Sequence, residues 1–97
     1  MLTSKQRAYL RGLASRLEPL AQVGKAGATP EQVASLDEAL EARELIKLAV
    51  LNNCQEEPRA VAETLGGRTR SEVVQVIGKK IVLYRRSQNG PIVNLPK

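Results

Sequence analysis

The chain of 97 residues carries 15 lysines and arginines against 10 aspartates and glutamates, a formal charge of +5, with one cysteine and no histidine, tryptophan or phenylalanine. That length accommodates one hydrophobic core, so residues 1–97 are expected to form a single domain, and the positive balance favours a polyanionic partner. Without histidine there is no neutral-pH proton shuttle, no usual zinc ligand set and no His-activated nucleophile, so the chain is read as no enzyme, with no catalytic residue, metal, cofactor or small-molecule substrate.

In chain order, Thr3 is placed to cap a first helix, and Gln6 completes a capping-box pattern. Leu10, Leu13 and Leu17 recur at helical spacing as its buried stripe, and Pro19 ends it. Lys5 and Arg16 fall on one side of the stripe and Arg7 and Arg11 on the other, with no acid before Glu18. This face is either solvated or a polyanion-binding surface. The same cations interrupt any signal-peptide core, and no stretch has the length of a membrane span. A cytoplasmic protein with no membrane partner is the expectation, and a lone cysteine, Cys54, agrees with a reducing setting.

Leu20 to Val23 reads as a short strand, followed by Gly24-Lys25-Ala26-Gly27. Thr29-Pro30-Glu31-Gln32 then starts a second helix, with a cap, a proline at the first helical position and a glutamine placed to bond back. Its stripe is Val33, Leu36 and Leu40, while Asp37, Glu38 and Glu41 turn the helix body away from a polyanion. Leu45 to Leu51 is a central strand, and Pro58 opens a third helix with Val61, Ala62 and Leu65 inside, ended by Gly66-Gly67. Arg68, Thr69, Arg70 and Ser71 follow as a basic loop, then Glu72 to Ile77 as a strand. Gly78-Lys79 is a two-residue hairpin turn into Lys80 to Arg85, and residues 87–97 form a tail with Gly90, Pro91 and Pro96. The order predicts an α/β fold: an N-terminal helix plus a βαβαββ two-layer sandwich.

Two motifs carry chemistry. Gly24, Lys25, Ala26 and Gly27 lie between a strand and a well-capped helix, which is the geometry of a phosphate clamp: close backbone approach, one positive charge, and amides around Gly27 and Ala28 facing the anion. The competing reading is plain turn chemistry. Arg68 with Arg70, Lys79 with Lys80, and Arg85 with Arg86 form three basic pairs, with Glu72 the only acid from Thr64 onward. They are phosphate contacts or solvated charge, and the two lysines also suit a protected sheet edge. Tyr9 and Tyr84 are too few aromatics for a base-stacking platform, so contact with RNA must rest on phosphates and shape.

Leu2-Thr3-Ser4-Lys5-Gln6-Arg7 with Leu10-Arg11-Gly12-Leu13-Ala14, then Val23-Gly24-Lys25-Ala26-Gly27, Glu44-Leu45-Ile46-Lys47, and Val74 through Arg85 resemble, in order, the small bacterial YhbY proteins. These are the single-domain form of the CRM domain (chloroplast RNA splicing and ribosome maturation). The resemblance implies a four-stranded mixed sheet similar to the C-terminal domain of translation initiation factor three. It also implies RNA binding through the GxxG loop and nearby basic surface, with 23S ribosomal RNA or a precursor of the large (50S) subunit as partner. The candidate RNA-binding residues are therefore Gly24, Lys25, Ala26 and Gly27 with Lys5, Arg7, Arg11, Arg68, Arg70, Lys79, Lys80, Arg85 and Arg86. A monomer is expected. The segment from Gly66 to Glu72 looks longer than in relatives. The alternative function is a ribosome-associated regulatory or protein-interaction factor whose main contact is the acidic second helix rather than the loop.

Overall fold

The computed structural model describes residues 2–97. The Thr3 hydroxyl accepts the Gln6 amide at 3.1 Å while Gln6 Oε1 accepts the Thr3 amide at 3.0 Å, and this reciprocal box starts α1 (Ser4–Ala14). The helix stops well before Pro19. The Ser15 hydroxyl donates to the Gly12 carbonyl at 2.7 Å, and the Arg16 and Leu17 amides reach back only three residues, to Leu13 and Ala14, so the last turn tightens and the chain leaves the helix. The expected stripe is accordingly corrected: Leu10 and Ala14 are buried, whereas Leu13 and Leu17 stay exposed.

Six further elements follow: β1 (Ala21–Val23), α2 (Pro30–Arg43), β2 (Leu45–Val50), α3 (Pro58–Thr69), β3 (Glu72–Ile77) and β4 (Lys80–Tyr84). The strands form one mixed sheet in the order β1-β2-β4-β3, with β1 parallel to β2 and the other pairs antiparallel. The α/β class, the βαβαββ order and the four-stranded mixed sheet are those the sequence predicts. Ile77 pairs with Lys80 across the Gly78-Lys79 turn, where Gly78 takes φ +56. A bulge at Val74 lets two residues of β3 oppose one of β4.

Side-chain alternation divides the sheet into two faces. Ile46, Leu48, Val50, Ile81 and Leu83 meet Leu36 and Leu40 of α2 and Val61 and Leu65 of α3. Leu45, Val82 and Tyr84 point the other way and, with the bulged Val74, receive Leu10 and Ala14 of α1. The N-terminal helix thus covers part of the second face of the sandwich, and this explains why five of the six β2 residues are buried.

One boundary differs from the sequence reading. Gly66 and Gly67 do not end α3, so Arg68 and Thr69 are helical and no long loop precedes β3. The glycine at 66 has a packing reason: a Cβ there would lie 3.0 Å from Val73 Cγ2 and 3.3 Å from the Ser71 carbonyl, so only glycine lets the helix approach β3 this closely. The helix ends at Arg70 instead, in the left-handed conformation at φ +56, and the Ser71 amide donates back to the Gly66 carbonyl at 2.9 Å.

The tail is pinned by one buried side chain. Glu44, fully buried and at φ +66, accepts the Ser87 amide at 2.6 Å on Oε2 and the Ile92 and Val93 amides at 2.9 and 2.7 Å on Oε1. Val93 and Leu95 then pack against the α1 side of the core, and Gln6 Nε2 donates to the Pro96 carbonyl at 3.0 Å. No helix among the described residues is long and apolar enough to cross a membrane.

Candidate nucleic-acid interface

Because β1 and β2 are parallel, the Gly24–Gly27 loop after β1 and the Leu51–Glu57 segment after β2 leave the sheet at the same end. Ala49 pairs with Lys80, which brings the Gly78-Lys79 turn to that end as well. The three segments touch. A Cβ on Gly24 would stand 3.4 Å from Asn53 Oδ1 and 3.5 Å from Leu51 Cδ1, the Val50 amide donates to the Lys79 carbonyl at 2.7 Å, and Lys79 Nζ donates to Asn52 Oδ1. The GxxG loop is therefore held by its neighbours rather than free, with Lys25 and Ala26 at its exposed tip.

Within the loop the Gly27 amide donates to the Gly24 carbonyl at 3.0 Å, and Gly27 sits at φ +68. The glycine serves a left-handed turn position, and its amide is occupied by that turn, which corrects the expectation that it faces an anion. Two positive ends compensate. Both α2 and α3 begin at this pole; Thr29 caps α2 by accepting the Gln32 amide at 3.1 Å, while α3 opens at Pro58 with no side-chain cap from Glu57. The helix dipoles thus add partial positive charge beside Lys25, Lys79 and Lys80. Three carboxylates oppose it: Glu31 in the first turn of α2, Glu57 at the N-cap of α3, and Glu56, whose Oε2 lies 3.9 Å from where a Gly27 Cβ would be.

Alternation along β4 puts Lys80 on the same face as Val82 and Tyr84, the face that α1 covers. On α1, Gln6 and Leu13 turn toward the tail, so Arg7 and Arg11, one turn apart, lie on the opposite flank. Arg7 is engaged there: Nη1 donates to the Val73 carbonyl at 2.7 Å and Nη2 lies 3.7 Å from Glu72 Oε1. Arg11 and Lys5 are exposed.

The remaining predicted residues lie at the other end of the sheet, where Arg68, Arg70, Arg85 and Arg86 line a cleft of about 590 Å³ with Asp37, Glu38 and Glu41. Arg85 is structural in this arrangement. Its Nη1 bonds Asp37 Oδ1 and the Thr69 carbonyl (2.8 Å), its Nη2 bonds the Asp37 carbonyl at 3.0 Å, and Glu41 Oε1 lies 3.7 Å away. Arg85 thus bridges Asp37 and Glu41 of the acidic second helix, while Glu31 and Glu38 stay exposed. Burial pushes the Glu44 carboxyl up, but the amides of Ser87, Val93 and Ile92, with a smaller contribution from the exposed Arg86 charge, outweigh it and hold the carboxyl below its ordinary range. Burial and the Glu44 charge push the Tyr84 hydroxyl up.

Sequence reasoning missed Asn52 and Asn53, which brace the basic hairpin and the GxxG loop; only the parallel register of β1 and β2 reveals that they belong there. It also missed Glu44 as the anchor of the tail.

A mixed α/β sheet with a lysine-tipped glycine turn at the carboxyl ends of its parallel strands is the frame of a small polyanion-binding module. The CRS1/YhbY (CRM) domain model matches residues 2–85, and the chain belongs to that family. It is 49% identical over 96 residues to the Bacillus subtilis "Probable RNA-binding protein YqeI", covering 99% of this chain and 100% of the relative. It is 35% identical to a Haemophilus influenzae "RNA-binding protein", covering 99% and 96% respectively. The solution structure of SAV1595 from Staphylococcus aureus superposes with a TM-score of 0.83 at 48% identity, covering 99% of this chain and all of that one.

Proposed function

We propose that the chain binds structured RNA by phosphate contacts at the GxxG pole, and that this RNA is 23S ribosomal RNA in precursors of the large subunit. The observation that carries the reading is the convergence at one end of the sheet of the braced Gly24–Gly27 turn, two helix N-termini and the lysines of the β3–β4 hairpin. Lys25, with the Ala28 amide in place of the occupied Gly27 amide, holds one phosphate. Lys79 and Lys80 meet the backbone beside it, and Arg11 on the near flank of α1 extends the track. The relatives named as RNA-binding proteins support the partner class. Arg68, Arg70 and Arg86, at the far end among acids, are outside this interface, and Arg85 is assigned to the fold.

The test is sedimentation of tagged protein from lysate at low salt, beside the Lys25→Asp, Ala26→Asp double variant, which keeps both glycines. Co-migration with large-subunit precursors, lost in the variant, is the expected result. Equal co-migration of both forms would move the contact elsewhere, and failure of both to enter the gradient would remove the ribosomal assignment. With isolated RNA, the variant should bind at least about fivefold more weakly, since a lost charge-assisted contact costs roughly 1 kcal/mol or more.

A further inference from the structure

On the far side of α1 from Arg11, and away from the GxxG pole, lies an apolar groove of about 410 Å³ that RNA binding does not use. Its walls are Leu13 near the end of α1, Leu17 and Leu20 in the connection to β1, and Ile92 from the tail, exposed by 36%, 37%, 38% and 51%. Leu45 and Val93 form its floor. Four large apolar side chains from three separate segments converging in one concavity are an unusual use of exposed surface in a chain this small. Folding does not require them there, because α1 already buries Leu10 and Ala14 and ends before Leu17. Arg43 and Lys47 stand at the rim against one carboxylate, Glu18.

We propose that this groove docks an acidic amphipathic segment of a partner protein, whose apolar residues enter between Leu13, Leu17, Leu20 and Ile92 and whose carboxylates meet Arg43 and Lys47. The rim charge selects the occupant: a basic or phosphate-binding segment would meet two like charges. A second copy of this chain is a poor fit. On its acidic helix, α2, Leu36 and Leu40 are buried in the core, so the exposed Glu31, Asp37 and Glu38 bring no leucine with them to enter the groove. The groove and the GxxG loop lie at opposite ends of the parallel strand pair, which lets one molecule hold a partner protein without displacing a polyanion.

The experiment uses the full chain, labelled with nitrogen-15, titrated with a synthetic Glu/Leu amphipathic helical peptide and its Lys/Leu counterpart. Amide shifts should map to Leu17, Leu20, Arg43 and Ile92, with affinity for the Glu/Leu peptide at least about tenfold above the other. Leu17→Gln with Ile92→Gln, both at exposed positions and so compatible with folding, should abolish the shifts, and Arg43→Glu with Lys47→Glu should invert the preference. Equal affinity for both peptides, no binding, or shifts confined to residues 24–27 would overturn the proposal. So would two rival occupants: concentration-dependent dimerisation lost in the Leu17→Gln, Ile92→Gln variant, or binding to phosphatidylglycerol vesicles through the same residues.

Discussion

The carboxylate of Glu44 accepts the amide of Val93 at 2.7 Å, and with the Ile92 and Ser87 amides this fastens the tail of residues 87–97 to the end of α2. Glu44→Gln replaces Oε2 with an amide nitrogen facing the Ser87 N–H, leaving buried groups unpaired. The expected cost is roughly 2 kcal/mol, or a Tm lower by about 10 °C for a chain of this size. Thermal unfolding checks it, and hydrogen exchange at Val93 should accelerate. An unchanged Tm with slow Val93 exchange would show that the tail is held without Glu44, by Val93 and Leu95 packing and the hydrogen bonds of Glu41 and Gln6.

The same carboxyl sets a pH dependence. Its folded pKa is depressed, so its contribution is fully present above the ordinary carboxylate range and is lost as pH falls through that range toward the folded value. Stability should therefore decline on acidification more steeply in the parent than in Glu44→Gln. Parallel declines in denaturant midpoints would remove Glu44 as the cause.

Arg85 separates fold from interface. Arg85→Lys keeps the charge but cannot reach Asp37, Glu41 and the Thr69 carbonyl together, so stability should fall by about 1–2 kcal/mol with RNA affinity within about twofold of the parent. Filter binding and urea denaturation read the two quantities independently. A larger loss of RNA affinity without a stability change would return this arginine to the interface.

The glycine pair of α3 makes opposite predictions at adjacent positions. Gly66→Ala drives a methyl into Val73 and the Ser71 carbonyl and should destabilise by roughly 1–3 kcal/mol, overriding alanine's better helix propensity. Gly67→Ala meets nothing within 4 Å and should stabilise by up to about 1 kcal/mol. Stabilisation by Gly66→Ala as well would mean that Val73 yields to the added methyl.

Local signals carried most of the fold, and pairing signals carried what they missed. Thr3 with Gln6 and Thr29 with Pro30 are contained within one turn each, and the structure bears out both helix starts. Gly66-Gly67 misled because a glycine required by close packing is indistinguishable in sequence from one that ends a helix. The basic residues look equivalent along the chain, yet the sheet sends Lys25, Lys79 and Lys80 to one end and Arg68, Arg70, Arg85 and Arg86 to the other, and only the strand register separates them. Glu44 stands in sequence only as part of the Glu44-Leu45-Ile46-Lys47 motif, and its anchoring role depends on its left-handed backbone and the returning tail, which no local pattern shows.

Glu56 gives the sharpest electrostatic test of the glycine turn. Its Oε2 lies 3.9 Å from the point a Gly27 Cβ would occupy, so a phosphate held at this turn experiences a carboxylate within several ångströms. At about 6 Å in water-like surroundings two like charges repel by roughly 0.7 kcal/mol, so Glu56→Gln should tighten RNA binding about threefold at low salt. The gain should shrink as salt screens it. Glu63→Gln, an exposed neutralisation farther along α3, makes the same change in net charge and serves as the control. If both variants gain equally, RNA responds to overall charge and not to the Gly24–Gly27 turn; a gain confined to Glu56→Gln places a phosphate beside Gly27.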